Sequence, residues 1–339
     1  MTEVSKARRM LPTAILAAGL GALLALASGA PSWAAAPPGA VTIAPMLDEV
    51  TPAVVNISVL QQAPQMNNPL LRDPFFRRFF NIPDMPQARP QASAGSGVIV
   101  DARRGYIITN HHVVANAQAI TVTLKDRRRL KAELVGSDAA TDIAVLRVQA
   151  ERLTELRWGD ADKARVGDFV VAIGNPFGIG QTVTSGIISA LGRSGLKIEG
   201  YEDFIQTDAS INPGNSGGAL VSFTGELLGI NTAIIGPAGG SVGIGFAVPS
   251  TIARAVMNQL VEYGEVRRGR LGVAIQDLTP DIAESLNLDD VEGALIAGVE
   301  NGGPAERAGL RAGDVVVAAD GRPVRSGTDL RNQIGLVRL

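Results

Sequence analysis

The sequence predicts an all-β barrel or sandwich followed by a smaller unit of strands and helix, and three observations carry this reading. Short apolar runs recur at close spacing: Val98–Val100, Tyr106–Thr109, Ile120–Leu124, Ile143–Val148, Phe169–Ile173 and Thr182–Ile188, then Leu227–Thr232 and Gly243–Val248. Turn residues punctuate them, as in Arg104-Gly105, Gly136-Ser137-Asp138 and Gly174-Asn175-Pro176, and many short strands separated by turn signals mark a barrel or sandwich. Glycine, at 39 of 339 residues, exceeds the roughly 7% average, which favours turn-rich β structure over helical bundles.

The chain opens with an export signal. Lys6, Arg8 and Arg9 precede an apolar stretch, Leu11–Ala30, and then Ala34-Ala35-Ala36. A basic start, an apolar centre and a small-residue ending make a secretory signal peptide over residues 1–36, with cleavage after Ala36. The alternative is an uncleaved anchor in the inner membrane, since Leu11–Ala30 nearly matches a bilayer, although Pro12 and the interspersed glycines weaken it as a permanent helix. Cleavage removes Lys6, Arg8, Arg9 and Glu3, so the mature chain is more acidic than the −2 of the whole sequence.

Residues 37–93 form an N-terminal segment and a long exposed loop. Ile43–Val50 reads as a short helix and Ala53–Val59 as a strand. Residues 61–93 then collect proline, glutamine and asparagine. Within that loop, Asp73-Pro74-Phe75-Phe76-Arg77-Arg78-Phe79-Phe80 holds four of nine phenylalanines. It is either a short helix folded on its own core or an aromatic latch for a partner subunit or the active site. The main domain spans 94–262, with a strand contributed from 53–60. It closes with a helix over Thr251–Glu262, whose apolar positions are Ile252, Val256, Leu260 and Val261. Residues 263–269 are a charged linker. Residues 270–339 form the smaller unit, with strands at Gly293–Val299 and Asp314–Ala319 and a helix at Gly327–Val337.

Composition narrows the chemistry. Lys plus Arg is 31 against 33 for Asp plus Glu, so no basic excess points to nucleic acid. The absence of cysteine excludes a disulfide framework, a thiol nucleophile and Cys-ligated zinc. Histidine chemistry is confined to His111 and His112, the only two in the chain.

Gly214-Asn215-Ser216-Gly217-Gly218 places a serine between glycines. A serine hydroxyl needs a neighbouring base and an exposing turn to act as a nucleophile, and flanking glycines permit such a turn. They also free backbone N–H groups to face a developing oxyanion. A base is offered by the histidine pair in Thr109-Asn110-His111-His112-Val113 at the end of a strand. A carboxylate to orient the imidazole is offered by Asp142, which opens the otherwise apolar Asp142-Ile143-Ala144-Val145-Leu146 and is costly to bury unpaired. The order His, Asp, Ser is one of the few known for this geometry.

These segments, together with Asp208-Ala209-Ser210-Ile211-Asn212-Pro213 before the serine loop, Thr182–Ala190 and Gly243–Pro249, resemble the HtrA (Deg) family of serine proteases. The resemblance implies an all-β, chymotrypsin-like double β-barrel followed by an α+β PDZ domain. Since the family reads Thr-Asn-x-His-Val, it assigns the base to His112, with Ser216 as nucleophile and Asp142 as the orienting carboxylate. It implies an oxyanion hole from the N–H groups of Gly214 and Ser216. Ile211 and Ile234 would line a small apolar specificity pocket, and Arg193 would sit in a loop that senses activation. Arg270, Leu271, Gly272 and Val273 would form the PDZ carboxylate-binding loop, which captures the C-termini of peptides. The chain stops just after the Gly327–Val337 helix, where family members continue into closing strands, so the PDZ domain is expected to be incomplete. The resemblance further implies homotrimers or their multiples, unfolded or misfolded proteins as substrates, a periplasmic location and a stress-response role in protein quality control. No metal or cofactor is called for. A competing reading from another class is a non-catalytic chaperone or peptide-binding scaffold on the same fold.

Overall fold

The computed structural model describes residues 42–61, 91–175, 180–194, 201–212, 214–234, 242–288 and 292–335. The expected export signal and the Phe75–Phe80 segment lie outside the described residues. Among those described, no helix is long and apolar enough to cross a membrane.

A short helix, α1 (Ala44–Val50), leads into the first barrel. Its strands are β1 (Val54–Gln61), β2 (Gln91–Asp101), β3 (Tyr106–Asn110), β4 (Ala117–Thr123), β5 (Arg129–Asp138) and β6 (Ile143–Arg147), closed in the order β1-β2-β3-β6-β5-β4. The second barrel holds β7 (Phe169–Gly174), β8 (Thr182–Arg193), β9 (Phe204–Thr207), β10 (Ala219–Ser222), β11 (Leu227–Ile234) and β12 (Gly245–Pro249), and repeats that strand order. Closure removes the sheet edges that a chain of short strands would otherwise expose. Each barrel fills its interior with branched aliphatics, Val55, Ile57 and Ile107 in the first, Val170, Ile188 and Ile205 in the second. Helix α2 (His111–Val114) follows β3, and α3 (Ser250–Tyr263) closes the domain. α3 buries Ile252, Val256 and Leu260 and ends at Gly264, whose left-handed φ of 74° lets its N–H return to the Leu260 carbonyl.

The structure departs from the sequence reading in five places. β2 begins at Gln91, inside the segment read as loop, because Gln91, Ala92 and Ser93 continue the ladder opposite Gln61, Leu60 and Val59. Main-chain pairing asks nothing of side-chain polarity, so a hydrophobic pattern cannot announce it. β5, β9 and β10 lie outside the apolar runs, β5 because Arg129, Lys131 and Glu133 interrupt it at exposed positions and the other two because they are four residues long. The run Asp314–Ala319 divides between two sheets.

The C-terminal unit contains a three-stranded sheet, β13 (Val273–Asp277), β14 (Ala294–Val299) and β15 (Val315–Val316), in sequence order. A two-stranded ribbon pairs β16 (Ala318–Ala319) with β17 (Arg322–Pro323). Helices α4 (Pro280–Ser285), α5 (Pro304–Arg307) and α6 (Gly327–Gly335) complete it around a core of Ala294, Ile296, Val324 and Leu330.

This unit rests on the barrels through residues 201–203 and the linker. The Asn332 amide of α6 donates to the Glu202 carbonyl at 3.1 Å. Arg268 lies 4.5 Å from the centre of the Tyr201 ring and pairs with Asp138 at 2.6 Å. Beside this contact opens a cleft of about 1230 Å³, walled by Asp162, Asp203 and Arg254 on one side and Arg322, Arg325 and Asp329 on the other. Burial, reinforced by Asp329 and Asp162 and opposed by Arg325, pushes the Asp203 carboxyl up to about 6. Docking therefore favours the protonated form. Its contribution is fully present below the ordinary carboxylate value of 3.8 and is lost as pH rises through about 6. Amide exchange, corrected for intrinsic rates, should show protection of Gly327–Gly335 falling between about pH 4 and pH 6, with the fall abolished in Asp203→Asn. Persistence of the fall in that variant would contradict this role for Asp203.

Candidate active site

The pairing of β3 with β6 brings the imidazole and carboxylate together. The ladder ends at Asn110 opposite Ile143, so the residues just beyond, His111–His112 and Asp142, meet at the rim of the first barrel. Asp142 turns there in the left-handed region, at φ 54°. That conformation is unfavourable outside glycine and is held by its contacts. The Asp142 carbonyl accepts the His111 N–H and the Asn110 Nδ2–H, both at 3.0 Å.

The Asp142 side chain is 1% exposed. Its Oδ1 accepts the His112 main-chain N–H at 3.0 Å, and its Oδ2 lies 2.8 Å from His112 Nδ1 and 2.5 Å from the donating Thr232 hydroxyl. With Nδ1 carrying the proton toward Asp142, the other ring nitrogen, Nε2, is the acceptor. The His112 ring is 48% exposed, so substrate can reach it. His111 is turned elsewhere, with Nδ1 at 3.0 Å from the Ser137 hydroxyl.

Ser216 lies in the turn before β10. Gly214 and Gly217 adopt φ of 95° and 82°, and the Asn215 N–H donates to Asn212 while Gly218 N–H donates to Asn215, each at 2.9 Å. The Ser216 hydroxyl donates to the Thr232 carbonyl at 3.2 Å. One residue of β11 thus touches both groups, its hydroxyl on Asp142 and its carbonyl on Ser216. Neither the Gly214 nor the Ser216 N–H donates to another backbone oxygen among the described residues.

The remaining sequence candidates fall at three places. Ile211 is buried in the second barrel, against Gly245 of β12, where an added Cβ would sit 2.9 Å from its Cδ1, and Ile234 ends β11. Arg193, at the end of β8, is exposed and donates from Nε to Gln206 at 2.9 Å. Arg270, Leu271, Gly272 and Val273 line a groove of about 560 Å³ whose other walls include Glu300, Arg331, Ile334 and Tyr201. Arg270 pairs there with Glu300 at 3.1 Å. Among the described residues no group of His, Asp and Glu is disposed to hold a metal. Sequence reasoning missed Thr232 and Asn110. A threonine ending an apolar strand is too common to stand out, and Asn110 reads as a strand terminator.

Known proteins share this architecture. A model of the trypsin-like peptidase domain matches residues 95–230, and a PDZ domain model matches 295–334. The chain is 51% identical over 296 residues to the periplasmic pH-dependent serine endoprotease DegQ of Escherichia coli K12, covering 86% of this chain and 64% of that protein. It is 46% identical over 318 residues to the periplasmic serine endoprotease DegP of the same strain, covering 87% and 67%. The chain thus spans about two thirds of the length of these relatives. The solved structure of the HtrA-type protease AlgW with a decapeptide superposes at a TM-score of 0.66 with 48% identity, covering 88% of this chain and 91% of that one. Two barrels with His, Asp and Ser at their junction, a PDZ domain behind them and this degree of identity place the chain in the HtrA (Deg) family.

Proposed function

We propose that the chain is a serine endopeptidase of the cell envelope, with Ser216 as nucleophile, His112 as general base and Asp142 as the carboxylate that orients it. The observation that carries this is the buried Asp142 carboxylate, which holds His112 Nδ1 at 2.8 Å and reaches the Ser216 turn through Thr232. For reaction, the Ser216 hydroxyl leaves the Thr232 carbonyl and gives its proton to His112 Nε2 as Oγ bonds the scissile carbonyl carbon. Catalytic hydrogen bonds are often loose before substrate arrives. The tetrahedral oxyanion is received by the N–H groups of Gly214 and Ser216, and His112 then protonates the leaving amine. Water repeats the sequence on the acyl-enzyme. The names of the relatives support a catalytic reading over a non-catalytic scaffold.

The protease unit in this reading runs over 94–262, with the strand from 53–60, and the second barrel's closure at Pro249 supports a boundary beyond residue 230. The linker is 263–269 and the PDZ unit 270–339. C-terminal peptides occupy the groove at Arg270–Val273, pairing with β13, and unfolded proteins enter the protease site. The family resemblance implies homotrimers, and the exposed Phe169–Phe223 pair, with ring centres 5.2 Å apart, is an apolar surface for a second copy. The export signal and the periplasmic relatives support a periplasmic location, with membrane association only if residues 1–36 are retained.

A fluorophosphonate should label Ser216. Ser216→Ala and His112→Ala should each lower kcat by about 10⁴-fold or more, because triad members act as a unit, while His111→Ala keeps most activity. If His111→Ala is inactive and His112→Ala active, the base is misassigned. Ile211 and Ile234 direct cleavage after Val, Ala, Ile or Leu, with modest discrimination of roughly 1–3 kcal/mol per methylene. Sequencing the products of an unfolded substrate checks this, and cuts mainly after Lys or Arg would exclude such a pocket.

A further inference from the structure

The two residues assigned as oxyanion donors, Gly214 and Ser216, are both tethered by their carbonyl oxygens to a single residue of the other barrel. Ser96 Oγ donates to the Gly214 carbonyl at 2.6 Å, and the Ser96 N–H donates to the Ser216 carbonyl at 2.8 Å. The remaining polar groups of Ser96 are also used. Its hydroxyl accepts the Asn175 N–H at 2.8 Å, and its carbonyl accepts the Thr109 hydroxyl at 2.7 Å. Ser96 is wholly buried.

Strand pairing explains why these groups are free to reach across. Between β2 and β3 the register runs only as far as Val98 opposite Ile108, so at Ser96 the main chain has passed the end of that ladder. The Ser216 turn and the Thr109 hydroxyl occupy the vacated edge. The approach is close enough that a Cβ on Gly217 would lie 2.2 Å from the Ser96 carbonyl oxygen, and one on Gly95 would lie 2.7 Å from Val113.

We propose that Ser96 is a positioning residue for the oxyanion hole, its hydroxyl fixing the orientation of the Gly214–Asn215 peptide and, through Asn175, the register between that turn and the end of β7. The proposal rests on the protease reading above. A hydroxyl at zero exposure with one donor and one acceptor bond satisfied has no rotational slack, so the Gly214–Asn215 peptide, which lies between the two peptide units carrying the Gly214 and Ser216 N–H groups, is held in one orientation. The turn's own bonds, from Asn215 to Asn212 and from Gly218 to Asn215, close the loop without fixing its tilt relative to the first barrel, where His112 is anchored. Ser96 supplies that cross-barrel reference. Its effect falls on the transition state, since a ground-state carbonyl depends far less on the N–H directions than a developing oxyanion does.

The test is Ser96→Ala, assayed on a chromogenic peptide with active sites counted by fluorophosphonate titration. The expected result is a fall in kcat per titrated site of about 10- to 100-fold, less than removal of a donor itself, with KM within about twofold. If Ser96→Ala yields no titratable sites, Ser96→Cys, which keeps the shape with a weaker donor, is expected to show the same split at smaller amplitude. A wild-type kcat per site in the variant that folds, or a loss wholly accounted for by fewer titratable sites, overturns the proposal while leaving the protease reading intact. A wild-type chain whose Ser216 takes no label overturns both.

Discussion

The buried carboxylate of Asp142 is the constraint on which the rest of the site depends. An ionised group at 1% exposure is tolerable only when its oxygens are satisfied. The donors come from three places: the main chain of α2, the His112 ring and a hydroxyl on β11 of the second barrel. Satisfying the charge therefore requires both barrels to be closed and docked. Once they are, the imidazole has one orientation and one tautomer, and Thr232, already committed to Asp142, presents its carbonyl to Ser216. A single desolvated charge thereby specifies the arrangement of four residues distant in sequence.

The parts of this arrangement legible in the sequence are those carried by residue type. Two adjacent histidines, one carboxylate heading an apolar strand and one serine between glycines leave little choice of partners. Apolar runs in the strands buried on both faces, such as β6 and β7, are equally visible. The parts that were hidden depend on main-chain geometry. Asn110 and Ser96 look like ordinary polar residues near strand ends, and their importance arises because a ladder stops beside them and leaves edge groups to be taken up by another segment. β5 is hidden because the exposed Arg129, Lys131 and Glu133 break its apolar pattern, and the start of β2 because backbone pairing outlasts the hydrophobic pattern. The repetition of one strand order in both barrels has no counterpart in obvious sequence repetition.

The C-terminal unit has a different physical character. Its buried aliphatic core comprises few residues, and its second sheet is a ribbon of two-residue strands, so its order depends heavily on what it rests against. What it rests against is the segment following β8, while the linker before it reaches the turn between β5 and β6. Tyr201, which lines the groove at Arg270–Val273, donates its N–H to the Ala140 carbonyl at 2.8 Å, and Arg268 reaches Asp138 in the same turn. Asp138 in turn accepts both the N–H and the hydroxyl of Thr141, which immediately precedes Asp142.

The turn at 138–142 therefore has two sets of obligations. On one side it must present the Asp142 carboxylate and carbonyl to α2, and on the other it must meet the linker and Tyr201. Asp142 adopts a left-handed conformation between them, and a residue held in that region persists only while its surroundings over-determine it. The surroundings here include Arg268 of the linker as well as groups of both barrels. The Asp142 contacts and the linker's anchor consequently share the same five residues, and a change imposed at either end of the turn is borne by the backbone that carries the Asp142 carboxylate.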